Sequence, residues 1–263
     1  MVGIFDQNPR GFNNSDPPTE EPEIGMADMN PEPILEVGDP TELEPRFAAR
    51  VATIARAAVA ARGRFTLAIP GGSVAERFLP ALRAASIPWS STDVFWTDER
   101  CVPVESPDSN FGMARRLLFG AGPAAMARCH RIETNRPDAE AAAAAERELI
   151  GVAGSVGRLD LVVLGVGEDG HVCSLFPGHP GLAVLDRLVT PVANAPKPPP
   201  RRISLTMPVL AAAAHLWVGA FGAGKAAVVR AALSDPRDDR PLSRAVRAGG
   251  MVTFWLDRAA APR

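Results

Sequence analysis

The chain has 263 residues, enough for one large α/β domain or two small ones, and the pattern along it decides for one. Apolar residues make up 46%, ample for a single buried core, and the formal net charge of −2 excludes a general polyanion binder, nucleic acid included. No apolar run approaches the roughly 20 residues that span a bilayer.

Residues 1–33 are polar, rich in Pro, Asp, Glu and Asn, and lack apolar periodicity. Such a stretch cannot bury enough surface to offset its ordering entropy, so it is expected to be disordered, ahead of one α/β domain over 34–263. Its opening, MVGIFDQNPRGFNN, lacks the basic start and apolar middle of a secretory signal. Met26 and Met29 sit at its end and are candidates for the natural start. Order begins near Ile34. Asp39 and Pro40 read as N-cap and first helical residue; Leu43, Phe47, Val51, Ile54 and Ala58 follow at helical spacing, and Gly63 closes the helix. Strand-like runs then follow at 65–69, 93–97, 159–165, 187–192, 202–206, 215–221 and 251–256. Between them lie the helix-like runs VAERFLPALRAA, MARRLLF, DAEAAAAAERELI, PVLAAAA and KAAVVRAAL. Strands apolar throughout, separated by amphipathic helices, predict a mainly parallel, Rossmann-like α/β sheet with helices on both faces. Ligands of such sheets bind beyond the carboxyl ends of the strands, so functional residues are expected just after them.

Four constellations occupy that position. In FTLAIPGGSVAERF, the Gly71-Gly72-Ser73 turn joins a strand to a helix; it is either an anion-binding turn at a helix N-terminus or an ordinary turn with Ser73 as N-cap. After DVFWT come Asp98, Glu99 and Arg100, a triplet that admits a solvated turn as well as a ligand-facing loop, with Asp108, Ser109 and Asn110 ahead of the next helix. After LDLVVLG comes VGEDGH, where His171 follows Gly165, Gly167 and Gly170 and stands beside Asp169; a histidine there suits proton transfer near neutral pH. Lys197, Arg201 and Arg202 flank the 202–206 run, and Lys225 opens a helix after GAG, cations that suit a phosphate. Lysine occurs only at Lys197 and Lys225 among the 28 basic residues, and the alternative for Lys197 is a solvated loop. Three cysteines, Cys101, Cys129 and Cys173, are scattered without metal-like spacing and imply reduced thiols in a cytoplasm.

These blocks together resemble the 6-phosphogluconolactonase family, in order and over roughly residues 64–235. GGS resembles its first glycine-rich loop, WTDERCVP with SPDSNFGMARRLL its second signature, LGVGEDGHVCSLFP its most specific one, and RRISLTMPVLAAAAHLWVGAFGAGKA its last. Two departures are visible: Val172-Cys173 stands where the family usually has Thr-Ala, and the first loop lacks the usual proline. The resemblance implies a fold similar to the glucosamine-6-phosphate deaminases and ribose-5-phosphate isomerases. It also implies hydrolysis of 6-phospho-D-glucono-1,5-lactone to 6-phospho-D-gluconate, in the oxidative pentose phosphate pathway, by a cytoplasmic monomer or small homo-oligomer without metal or organic cofactor. On this reading His171 is the general base, Asp169 its orienting partner, and Arg100 together with backbone N–H groups the oxyanion donors. The phosphate meets Gly71, Gly72, Ser73, Lys225 and either Arg201 or Arg202, while Asp98, Glu99, Gly167 and Gly170 are further site positions. The alternatives are an amino-sugar-phosphate isomerase/deaminase with Asp98 as base, and a sugar-phosphate binding protein without activity. An NAD-dependent dehydrogenase is more distant, because no dinucleotide fingerprint is present.

Overall fold

The helix expected after Asp39 runs over Pro40–Arg62 (α1). The Asp39 N–H donates to Glu42 Oε2 at 3.0 Å, and Gly63, in the left-handed region at φ 73°, closes it by donating to Val59 O at 2.8 Å. The computed structural model describes residues 31–262. The stretch expected to be disordered, and with it Met26 and Met29, therefore lies outside the described residues except for 31–33.

All seven expected strands appear within two residues at either end, as β2 Phe65–Ile69, β3 Thr92–Trp96, β6 Leu161–Gly165, β7 Val189–Val192, β8 Arg202–Leu205, β9 His215–Ala220 and β10 Met251–Leu256. Three short strands join them: β1 Ile34–Val37, β4 Asp98–Arg100 and β5 Arg128–His130. The remaining helices are α2 Gly72–Ala84, α3 Asn110–Leu117, α4 Asp138–Ala153, α5 Met207–Ala212, α6 Ala226–Ser234 and α7 Pro241–Ala248, the last unforeseen.

Seven strands form a sheet in the order β1-β10-β9-β6-β2-β3-β5, every adjacent pair parallel. All residues of β2 and β3 are buried, as a strand covered on both faces requires. The helices pack in two groups, α1 with α2 and α2 with α3, and α7 with α5 and α6. Between α1, α2 and the sheet lies an aromatic core: Phe47 stacks on Phe78 at 3.9 Å and meets Trp217 and Trp255 edge-on, each at 5.0 Å.

One feature departs from the expected single sheet. β7 and β8 form, with β4, a second sheet in the order β4-β8-β7, antiparallel throughout. The connection 193–201 is too short to carry the crossover of a dozen or more residues that parallel strands need. β7 is an edge strand, where Pro191 costs no ladder hydrogen bond. In the main sheet the chain steps outward from β2 to β3 and β5, then returns to the other side of β2 with β6. The crevice at that reversal, beyond the carboxyl ends of β2 and β6, is where sheets of this kind bind ligands.

Candidate active site

A cleft of about 190 Å³ opens there. Its wall takes Pro70 to Val74 from the end of β2, Thr97, Asp98 and Arg100 from β3 and β4, and Gly165 to Gly167 with His171 and Cys173 from the loop after β6. Lys197 and Arg202 reach it from the second sheet, and Gly219 to Phe221 with Lys225 from the end of β9.

The second sheet explains which charged residues enter. Side chains alternate along a strand, and directly paired residues share a face. Arg100 pairs with Arg202 and Asp98 with Ser204, so these four share one face, and Asp98, Arg100 and Arg202 line the cleft. Glu99, paired with Ile203, falls on the opposite face. There its carboxylate accepts the backbone N–H groups of Arg100, Asn110 and Phe111 at 2.7, 2.8 and 2.7 Å, and the Ser109 hydroxyl at 3.3 Å. Glu99 is thus the buried anion at the N-terminus of α3 and does not line the cleft; burial pushes its carboxyl up despite these donors. Arg201 is likewise turned away, donating twice to Asp138 at 3.0 and 2.6 Å. Of the two arginines, Arg202 is the one in the cleft.

The loop after β6 brings His171 and Asp169 together. His171 Nδ1 lies 2.6 Å from Asp169 Oδ1. The carboxylate can only accept, so Nδ1 carries the hydrogen and Nε2 keeps its lone pair. The pair crosses directly over Gly167: a Cβ there would stand 2.0 Å from His171 Nδ1 and 2.2 Å from Asp169 Oδ1. The loop is closed by hydrogen bonds from Gly167 N to His171 O at 2.9 Å and from Gly170 N to Gly167 O at 3.0 Å. Gly170 adopts φ 81°, and its carbonyl accepts Leu242 N of α7 at 3.0 Å, so the unforeseen helix braces the histidine loop. The ring packs on Phe176, centroids 4.5 Å apart. Burial lowers the His171 pKa, and the hydrogen bond and charge of Asp169 only partly offset it, so the imidazole favours its neutral form. Burial pushes the Asp169 carboxyl up, but the His171 hydrogen bond, with the charges of His171 and of Lys197 3.6 Å away, outweighs it and holds the group below its ordinary value.

The glycine turn forms as expected, but the helix begins at Gly72 with Gly71 as N-cap, two residues ahead of Ser73. Gly71 is bare for a reason: a Cβ would stand 1.8 Å from Asn110 Oδ1. Asn110 in turn donates to the Asp98 carbonyl at 2.8 Å and to Asp98 Oδ1 at 3.2 Å, tying turn, triplet and α3 together. Arg100 is steadied by a bond from Nη1 to Asp108 O at 2.8 Å. Lys225 lies in a short turn before α6; burial lowers its pKa, opposed by the charge of Glu168. Cys173 lines the cleft in the left-handed region at φ 55°, with a thiol that burial holds in the neutral form. Ser174, Thr97 and Phe176 had no signal in the sequence beyond their neighbourhood to the motifs. Among the described residues no group of three or more His, Cys, Asp or Glu is placed to hold a metal, and no helix is long and apolar enough to cross a membrane.

Residues 38–255 match the family described as glucosamine-6-phosphate isomerases/6-phosphogluconolactonase. The chain is similar to the 6-phosphogluconolactonase of Rattus norvegicus, 38% identical over 246 residues, which covers 90% of this chain and 95% of that one. It is 37% identical over 228 residues to that of Streptomyces coelicolor, covering 81% and 87%. Among solved structures, the 6-phosphogluconolactonase from Trypanosoma cruzi superposes with a TM-score of 0.78 at 26% identity, covering 88% of this chain and 97% of that one. The one from Shewanella baltica does so with a TM-score of 0.77 at 28% identity, covering 87% and 99%.

Proposed function

Because this chain belongs to the glucosamine-6-phosphate isomerase/6-phosphogluconolactonase family, we propose that it hydrolyses 6-phosphogluconolactone, with His171 as the general base. The observation that carries the reading is the Asp169–His171 pair laid over bare Gly167, its free Nε2 in a cleft that also holds Arg100, Arg202, Lys197 and Lys225.

The lactone carbonyl is already electrophilic, so the site has three tasks: activate water, stabilise the oxyanion and hold the phosphorylated end. His171 Nε2 takes a proton from water as the water oxygen bonds to the carbonyl carbon. The tetrahedral oxyanion is met by backbone N–H groups of the glycine-rich turns and by Arg100. Collapse breaks the bond from carbonyl carbon to ring oxygen, and the imidazolium returns its proton to that oxygen, which becomes the hydroxyl of the open-chain acid. Asp169 fixes the tautomer and supports the transient imidazolium. The phosphate binds at the N-terminus of α2, over Gly71, Gly72 and Ser73, with Arg202 and Lys225 as counter-charges.

An isomerase/deaminase reading needs Asp98 as a free base, and its carboxylate is already engaged by Ser174 and Asn110. The test is stopped-flow hydrolysis of freshly generated 6-phosphogluconolactone against the spontaneous rate. Wild type should turn over rapidly and His171→Ala should lose about 10²-fold or more in kcat. A wild-type rate no faster than background would reject the reaction, and an unimpaired variant would remove His171 from its role.

A further inference from the structure

Asp98 stands at the end of the β3–β4 junction, beside the proposed base, where a second proton-transfer group could act. Its surroundings give it a different task. Oδ2 accepts the Ser174 hydroxyl at 2.6 Å, and Oδ1 accepts Asn110 Nδ2 at 3.2 Å. Arg202 Nη1 lies 3.9 Å from Oδ2 and 3.4 Å from Ser174 Oγ. Asp98 is 6% exposed and Arg202 4%.

Arg202 is held on its other edges by neutral groups alone. Nε donates to Pro199 O at 3.0 Å, and Nη2 to Lys197 O at 3.0 Å and Pro198 O at 3.3 Å. Its aromatic neighbour is Phe176, 5.5 Å from the guanidinium carbon. Among the described residues Asp98 is the one carboxylate within 4 Å of this guanidinium. Burial works against the guanidinium charge; Asp98 opposes that, Arg100 adds to it, and Asp108 helps from farther off. A buried cation needs such a counter-charge. Each Asp98 oxygen commits one of its two acceptor sites to a protein donor, which fixes the carboxylate in the network around Ser174, Asn110 and Arg202.

We propose that Asp98 is a positioning residue that holds Arg202, directly and through Ser174, in the orientation that captures the substrate phosphate, and that it takes no part in proton transfer. The inference rests on the reading above that Arg202 meets the phosphate.

Steady-state kinetics on freshly generated 6-phosphogluconolactone test it, using wild type, Asp98→Asn, Arg202→Gln and the double variant. Asp98→Asn should raise KM about 10-fold while kcat stays within about threefold and keeps its acid limb, because the groups it touches serve binding. In the Arg202→Gln background the same change should raise KM less than about twofold, since residues acting as a unit do not add. A kcat lowered about 10²-fold with loss of the acid limb would make Asp98 the base and overturn the proposal. Effects that multiply in the double variant would overturn it too. Ser174→Ala, a smaller change that removes only the bridge, should raise KM about threefold and lose that effect in the Arg202→Gln background. It answers the question even where Asp98→Asn does not fold, and an unchanged KM in it would count against the tether. The underlying reading fails in a separate arm: Arg202→Gln with wild-type KM would take the phosphate from Arg202, and the proposal with it.

Discussion

His171 combines two opposing influences whose balance can be read in activity. Burial outweighs the Asp169 hydrogen bond, so its pKa lies below the ordinary histidine value of 6.5. The base form must be neutral, and the neutral fraction is lost only as pH falls through the folded-state pKa. The acid limb of kcat/KM should therefore lie below pH 6.5, measured from pH 5 to 8 against the spontaneous rate at each pH; a limb above 6.5 would mean the imidazolium is favoured in the folded cleft. The residues of this pair were legible in the sequence, because a histidine after three glycines at a strand end has few structural uses. The reason for Gly167 was not legible. Its requirement arises from the path of two side chains over it, which spacing alone does not reveal. Arg201 and Arg202 could not be told apart for a similar reason: alternation assigns one to each face, but only pairing with β4 fixes which face is the cleft.

At the level of elements, the short pieces carry the most consequence. Asp98-Glu99-Arg100 has no apolar run to mark it as a strand, and β5, with the sequence RCH, has none either. Both take their conformation from a neighbour, β8 in one case and β3 in the other. The long apolar strands and α1 were legible because their periodicity is set by burial that any sheet of this class imposes. The separation of β7 and β8 into their own sheet was not foreseen, since an apolar run looks alike in either sheet. Glu99 joins β4 to α3 by satisfying three backbone N–H groups. Glu99→Ala would leave those donors buried without an acceptor, at a cost of about 1–3 kcal/mol. Urea unfolding should show that loss as a lower midpoint, and a midpoint equal to wild type would show that water replaces the carboxylate at no cost.

Taken whole, the molecule places its cleft where the strand order reverses and supplies it from two sheets. Arg100, Lys197, Arg202 and Lys225 outnumber Asp98, the one carboxylate along its wall among the described residues, so the folded state should prefer a phosphorylated anion that the unfolded chain has no means to recognise. Added 6-phosphogluconate should therefore raise Tm, by the equivalent of about 2.7 kcal/mol at a hundredfold excess over its Kd. Thermal melts with and without the compound would check this, and no shift at millimolar concentration would count against phosphate capture in the cleft. The division of labour between the sheets has a metrical side. On the proposed reading the proton-transfer group hangs from the parallel sheet and one anchoring cation from the antiparallel one, and β4 follows β3 after a single intervening residue. Their separation is thus a fixed span, a ruler notched at both ends. On the proposed reading a lactone one carbon shorter that seats its phosphate should present its carbonyl poorly to His171, and a kcat/KM for it equal to that for 6-phosphogluconolactone would count against such selection.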